Sequence, residues 1–172
     1  MDDSSLLEVR RLVAAVNAAR RRHDASGSAV VSDGRRAERQ LDDLFRTSHT
    51  LAVYGTLAPG QPNHHVVAPL RGEWTDGLIE GDLLPVGWGA ALGYPGFRPR
   101  VGGDAVAVQV LRAPLLATAW PDLDRFEGPG YQRILVPVFS TELSSGQPGE
   151  RLLHTVANLY SPTETGPGAA VF

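Results

Sequence analysis

Leu6, Val9, Leu12, Val13 and Val16 recur at helical spacing and predict an amphipathic helix over residues 5–22, with Asp2, Asp3 and Ser4 as N-terminal capping residues. The Arg20-Arg21-Arg22-His23 run at its end suits the negative pole of a helix dipole and reads as a solvated helix end rather than a basic contact patch. Asp24-Ala25-Ser26-Gly27-Ser28 breaks the period and reads as a loop. A second helix is expected over 33–46, with Leu41, Leu44 and Phe45 on one face. Residues 1–48 therefore read as a helical extension, and residues 49–172 as the main domain.

From Thr50 the pattern changes to short apolar runs broken by Gly and Pro. It predicts strands over 50–54, 78–84, 105–111, 133–139 and 152–160. One further helix is expected over 119–126, where Trp120, Leu123 and Phe126 fall three residues apart and Pro121 suits a first turn. So few helices between the strands argue against a doubly wound parallel sheet. The expected fold is α+β: a small mixed sheet, partly closed into a barrel and flanked by helices. The segment 85–104, rich in Gly and Pro and carrying Trp88, Tyr94 and Phe97, is expected to be a long loop with a role in function.

Composition narrows the chemistry. The chain of 172 residues has an apolar fraction of 42%, enough for one real core. It has no cysteine, which removes thiol nucleophiles, disulfides, thiolate metal sites and iron–sulfur clusters. It also has no lysine, since all 16 basic residues are arginine, which removes Schiff-base chemistry and a P-loop lysine. A formal charge of -3 gives no footprint for nucleic acid. No apolar run approaches the roughly 20 residues of a membrane helix, and the first residues do not resemble a signal peptide, so a cytoplasmic protein without membrane contact is expected. Carboxylates, histidines, hydroxyls and backbone remain as the catalytic repertoire.

Two local patterns stand out. In Leu51-Ala52-Val53-Tyr54-Gly55-Thr56-Leu57 an apolar strand runs into a glycine where the chain must turn, and Asn63 after Pro62 is placed to cap a short helix carrying His64, His65 and Val66. Such a turn can aim successive backbone N–H groups into one concavity and hold a carboxylate without a cationic side chain. Spacing alone favours an ordinary glycine turn at a strand end. In Leu123-Asp124-Arg125-Phe126-Glu127-Gly128 a helix with an apolar face stops abruptly, and the chain re-enters a strand after Tyr131. A glutamate beside Phe126 at a helix C-terminus has its anion disfavoured by apolar surface and by the dipole, which suits a base working near neutral pH. An exposed last-turn carboxylate fits the periodicity equally well. Asp122 and Asp124, one face away, are expected to be solvated.

Together, Tyr54-Gly55-Thr56-Leu57 with Gly60 and Asn63-His64, and Leu123-Asp124-Arg125-Phe126-Glu127-Gly128 with Tyr131-Gln132-Arg133, resemble the gamma-glutamyl cyclotransferase-like (AIG2-like) family over roughly residues 50–160. The order of the two motifs and their separation of about seventy residues carry the resemblance. It implies a small mixed barrel, a substrate α-carboxylate held at Tyr54, Gly55, Thr56 and Leu57, a catalytic acid/base in Glu127, and a pocket wall at Tyr131. The implied reaction releases 5-oxoproline from a small-molecule γ-glutamyl amide and needs no cofactor. A non-catalytic carboxylate-binding domain on the same fold is the alternative. His64-His65 invites a metal, but adjacent histidines rarely ligate one ion together and no third ligand has suitable spacing. No Gly-x-Ser-x-Gly elbow is present.

Overall fold

A computed structural model describes residues 3–22, 29–85, 95–143 and 151–163. Helix α1 runs over Asp3–Arg21 and α2 over Ala29–Phe45; strands β1 (Thr50–Val53), β2 (Glu73–Leu84), β3 (Gly96–Pro99) and β4 (Asp104–Arg112) follow, then α3 (Leu116–Glu127), β5 (Tyr131–Leu143) and β6 (Arg151–Pro162). The sheet order is β3-β2-β4-β1-β6-β5. Pairing of β2 with β5 at Leu78 and Phe139 joins its two sides, so β2, β4, β1, β6 and β5 form a closed barrel to which β3 is appended through β2. The sheet is mixed because β1 and β6 run parallel while the other pairs are antiparallel. Gly77 lies next to this closure; a Cβ there would collide with Val138 on β5, so the strands can meet only because no side chain intervenes.

Strand alternation sorts the apolar side chains into three clusters. Ala52, Ile79, Val108, Val136, Val138 and Leu159 fill the barrel. Leu51 and Val53, on the opposite face of β1, pack outward against Leu116, Trp120 and Leu123 of α3. That double burial explains why every residue of β1 is buried. Leu135 and Val156, outward on β5 and β6, join Val9, Leu12, Val13 and Val16 of α1 and Ala37 and Leu41 of α2.

The helical segment is thus fastened to the barrel wall. Asn17 bonds both backbone groups of Leu135, its amide donating to the carbonyl and its oxygen accepting from the N–H, each at 2.8 Å. Arg20 is not a solvated helix end as its position in the basic run implied: its guanidinium donates to the Arg133 carbonyl, the Asn158 side chain and Glu38. His23 and the expected loop at 24–28 lie outside the described residues.

Other expectations need correction. Leu44 does not share the buried face of Leu41 but is 67% exposed, because Ala37, Leu41 and Phe45 follow the i, i+4 row towards α1. Helix α3 starts at Leu116, so Pro121 lies inside it and not in its first turn. Strand β2 begins at Glu73, five residues before the expected start, and β3 occupies part of the segment expected to be loop. Phe97 of that segment is fully buried in the barrel cluster; Trp88 and Tyr94 lie outside the described residues.

Candidate active site

The end of α3 and the end of β1 meet over one cleft. Helix α3 stops at Glu127 because Gly128 takes φ 75° and ψ -177°, a conformation essentially confined to glycine. The Gly128 N–H still donates to the Asp124 carbonyl at 3.0 Å, and the Tyr131 N–H donates back to the Gly128 carbonyl at 3.2 Å. This tight reversal starts β5 four residues after the helix ends and sets Glu127 and Tyr131 on one wall. Opposite them, β1 ends at Val53 and the chain turns through Tyr54-Gly55-Thr56-Leu57. The turn is held by donation from the Ala58 N–H to Gly55 and from the Asn63 N–H to Thr56. The N–H groups of Gly55, Thr56 and Leu57 have no acceptor among the described residues.

The cleft has about 490 Å³ of free space, its mouth included, and its lining contains Tyr54, Gly55, Thr56, Leu57, Glu127 and Tyr131. All six residues singled out by the sequence therefore share one cavity. Tyr160 of β6 also lines it and was not anticipated, as does Pro95, from the segment expected to have a role in function. Tyr160 lies in a run of buried residues of β6 and nothing local separates it from its neighbours, so only the tertiary fold reveals it.

Glu127 is the ionisable carboxylate of this lining, and no arginine or histidine side chain among the described residues contributes to it. Burial pushes the Glu127 pKa up to about 7. Burial also raises the pKa of Tyr54, with Tyr131 and Glu127 adding to the effect, and the Tyr54 ring packs on Phe97 with 5.9 Å between centroids. The Tyr160 pKa rises through burial and then through its bond to Asp124, whose Oδ1 accepts from the Tyr160 hydroxyl at 2.6 Å. Asp124 is thus not simply solvated, as its helical position implied; Asp122 is exposed and pairs with Arg125.

The short 3₁₀ turn His64–Val66 is present, but the Asn63 side chain makes no capping bond; its backbone N–H serves the turn instead. His64 lies with Nδ1 3.1 Å from the Leu57 carbonyl and its ring on Trp74, while His65 Nδ1 lies 3.1 Å from the Pro62 carbonyl. No group of three metal-binding side chains occurs among the described residues. No helix among them is long and apolar enough to cross a membrane.

A second depression lies between α2, α3 and the barrel, bounded by Arg20, Glu38, Asp42, Trp120, Arg133 and Asn158 among others. Here the central charges are partnered. Arg20 meets Glu38, Arg133 forks onto both oxygens of Asp124 at 3.0 and 3.2 Å while stacking over Trp120, and Asp42 accepts from the Ser48 N–H at 2.6 Å.

Among solved structures, the chain is similar to an aig2-like protein from Mus musculus (25% identity, 69% of this chain and 80% of that one, TM-score 0.48). It is also similar to YkqA from Bacillus subtilis (23% identity, 67% of this chain, TM-score 0.46), of which it spans only 36%. A third is allophanate hydrolase from Kluyveromyces lactis (17% identity, 68% of this chain and 18% of that one, TM-score 0.45). No curated protein gives a significant match. The family model described as gamma-glutamyl cyclotransferase, AIG2-like, matches residues 51–166, a span holding both the turn after β1 and the end of α3. The chain belongs to the gamma-glutamyl cyclotransferase, AIG2-like family.

Proposed function

We propose that this cavity closes a γ-glutamyl amide into 5-oxoproline and releases the amine, with Glu127 as the proton carrier. The observation that supports it most is a half-buried carboxylate with a pKa pushed up to about 7, in one cavity with a backbone turn whose N–H groups have no acceptor among the described residues. The substrate's α-carboxylate docks on the N–H groups of Gly55, Thr56 and Leu57. Its α-ammonium gives a proton to Glu127, and the freed amine attacks the γ-carbonyl carbon. A lactam C–N bond forms and the original amide C–N bond breaks; Glu127 relays to the leaving nitrogen both protons shed by the attacking one, which ends as the lactam N–H while the amine departs as its ammonium. No water is consumed and no protein nucleophile is required, which accords with a chain lacking both cysteine and lysine. Tethering of nucleophile and electrophile in one molecule is worth an effective molarity on the order of 10⁵ M or more once the chain is held folded.

Incubation with γ-glutamyl amino acids and γ-glutamyl alkylamines, followed by mass detection, tests the proposal. Expected are 5-oxoproline and free amine in equal amounts, with a rate loss of about 10²–10⁴-fold in Glu127→Gln. Binding of these compounds without product would instead identify a non-catalytic carboxylate-binding domain.

A further inference from the structure

The tyrosines around Glu127 are not equivalent. Tyr54 follows β1, Tyr131 opens β5 and Tyr160 lies near the end of β6, all lining the cavity with Glu127. On α3 itself the adjacent charges are Asp124 and Arg125, and Arg125 is turned to Asp122 on the exposed side. Asp124 stands one turn before Glu127, on the same side of the helix. Its carboxylate takes the Tyr160 hydroxyl at 2.6 Å and both Arg133 nitrogens at 3.0 and 3.2 Å, tying the end of α3 to β5 and β6 at once. Tyr160 and Glu127 line the same cavity, and the Glu127 carboxylate adds slightly to the rise in the Tyr160 pKa. Yet among the described residues none donates a hydrogen bond to the Glu127 carboxylate.

We propose that Asp124 is a positioning residue which, braced by Arg133, holds the Tyr160 hydroxyl off Glu127 and so denies the catalytic carboxylate that donor. A donor would stabilise the anion and weaken the base, whereas a carboxylate surrounded only by buried surface holds its proton more tightly. The inference rests on Glu127 as the proton carrier. It assigns to the Asp124–Tyr160 bond a chemical task beyond fastening the helix.

The test is a ¹³C-carboxyl NMR titration of protein labelled at glutamate, with the Glu127 resonance assigned by its loss in Glu127→Gln. In Asp124→Ala the released hydroxyl turns to Glu127, and the Glu127 pKa falls by about one unit or more. Adding Tyr160→Phe to that variant removes the donor and restores the parental value. Asp124→Asn keeps an acceptor for the hydroxyl and leaves the value unchanged, which keeps the proposal testable even where Asp124→Ala does not fold. An unmoved pKa in Asp124→Ala, or a fall that persists in Asp124→Ala/Tyr160→Phe or arises in Asp124→Asn, would overturn it; the latter pair would mark a pure charge effect. The titration needs no turnover. A parent that forms 5-oxoproline while Asp124→Ala leaves Glu127 untouched would sink this inference alone, and the expected shifts in a parent forming no 5-oxoproline would sink the catalytic proposal alone.

Discussion

In the depression beneath α2, the part-buried guanidinium of Arg20 meets Glu38, Asn158 and a backbone carbonyl, and Arg133 meets Asp124 and the face of Trp120. In the cavity at the end of β1, Glu127 is also drawn partly out of water, and no cationic side chain of the described lining compensates it. The two depressions share a wall, since Asp124 reaches Tyr160 on one side and Arg133 on the other. Desolvation acts at both places. Where partners offset it, the charge fastens helices to the barrel and its chemistry is spent. Where they are withheld, the group keeps a high proton affinity at a cost in stability, which marks a candidate for chemistry.

The largest test of the fastened side is deletion of residues 1–46. It strips the cover from Leu135 and Val156, both fully buried, and removes Asn17 from the Leu135 backbone. Cooperative thermal unfolding should be lost; a truncated protein with the parental Tm and near-ultraviolet circular dichroism would show that the barrel from residue 49 folds alone.

Glu127→Gln should make the protein more stable above pH 7. Burial raises the folded-state pKa to about 7 from 4.5, so between those values the native state binds the proton more tightly than the unfolded chain does. The stability this provides is complete below pH 4.5 and is lost as pH rises through 7. The difference of two to three units, at about 1.4 kcal/mol each, makes the ionised carboxylate a cost of about 3 kcal/mol. Urea midpoints of parent and variant should differ at pH 8 and converge near pH 4.5; an equal difference at both would contradict the uncompensated state of Glu127.

On the partnered side, Asn17→Ala leaves both backbone groups of Leu135 without partners in a buried place and should cost roughly 2 kcal/mol. Urea unfolding at pH 6 and pH 8 should give the same loss, since no proton is involved.

The smallest contrast lies within the turn. Gly55→Val places a branched side chain at a glycine of the cavity lining and should raise KM about tenfold or more, a change of about 1.4 kcal/mol. Gly55 is not among the glycines with positive φ, so the effect comes from obstruction rather than backbone strain. Thr56→Ala keeps its N–H and should change KM far less. Equal effects in steady-state kinetics would mean that side chains, not backbone, hold the carboxylate.

Much of this was legible in the sequence where one strand or helix decides the outcome. The apolar runs of β1, β4 and β6 and the abrupt Glu127-Gly128 stop are local signals, and both motifs arrive at one cavity. The start of β2 was hidden because Glu73, Thr75 and Asp76 are exposed polar residues paired by backbone alone with β4. Strand β3 is only four residues long and ends in proline, so neither its length nor its composition announces it. Asn17, Arg20 and the Asp124–Tyr160 bond join positions far apart in the chain, and no periodicity encodes them.

The central claim, that the half-buried Glu127 carries the proton, is tested most directly by the pH dependence of kcat/KM for 5-oxoproline release. The acid limb reports the carboxylate of the free enzyme. It should rise with unit slope and level off near the Glu127 pKa of about 7. A limb that breaks near 4.5, the ordinary value of a glutamate, or a profile flat from about pH 5 to 8, would contradict it.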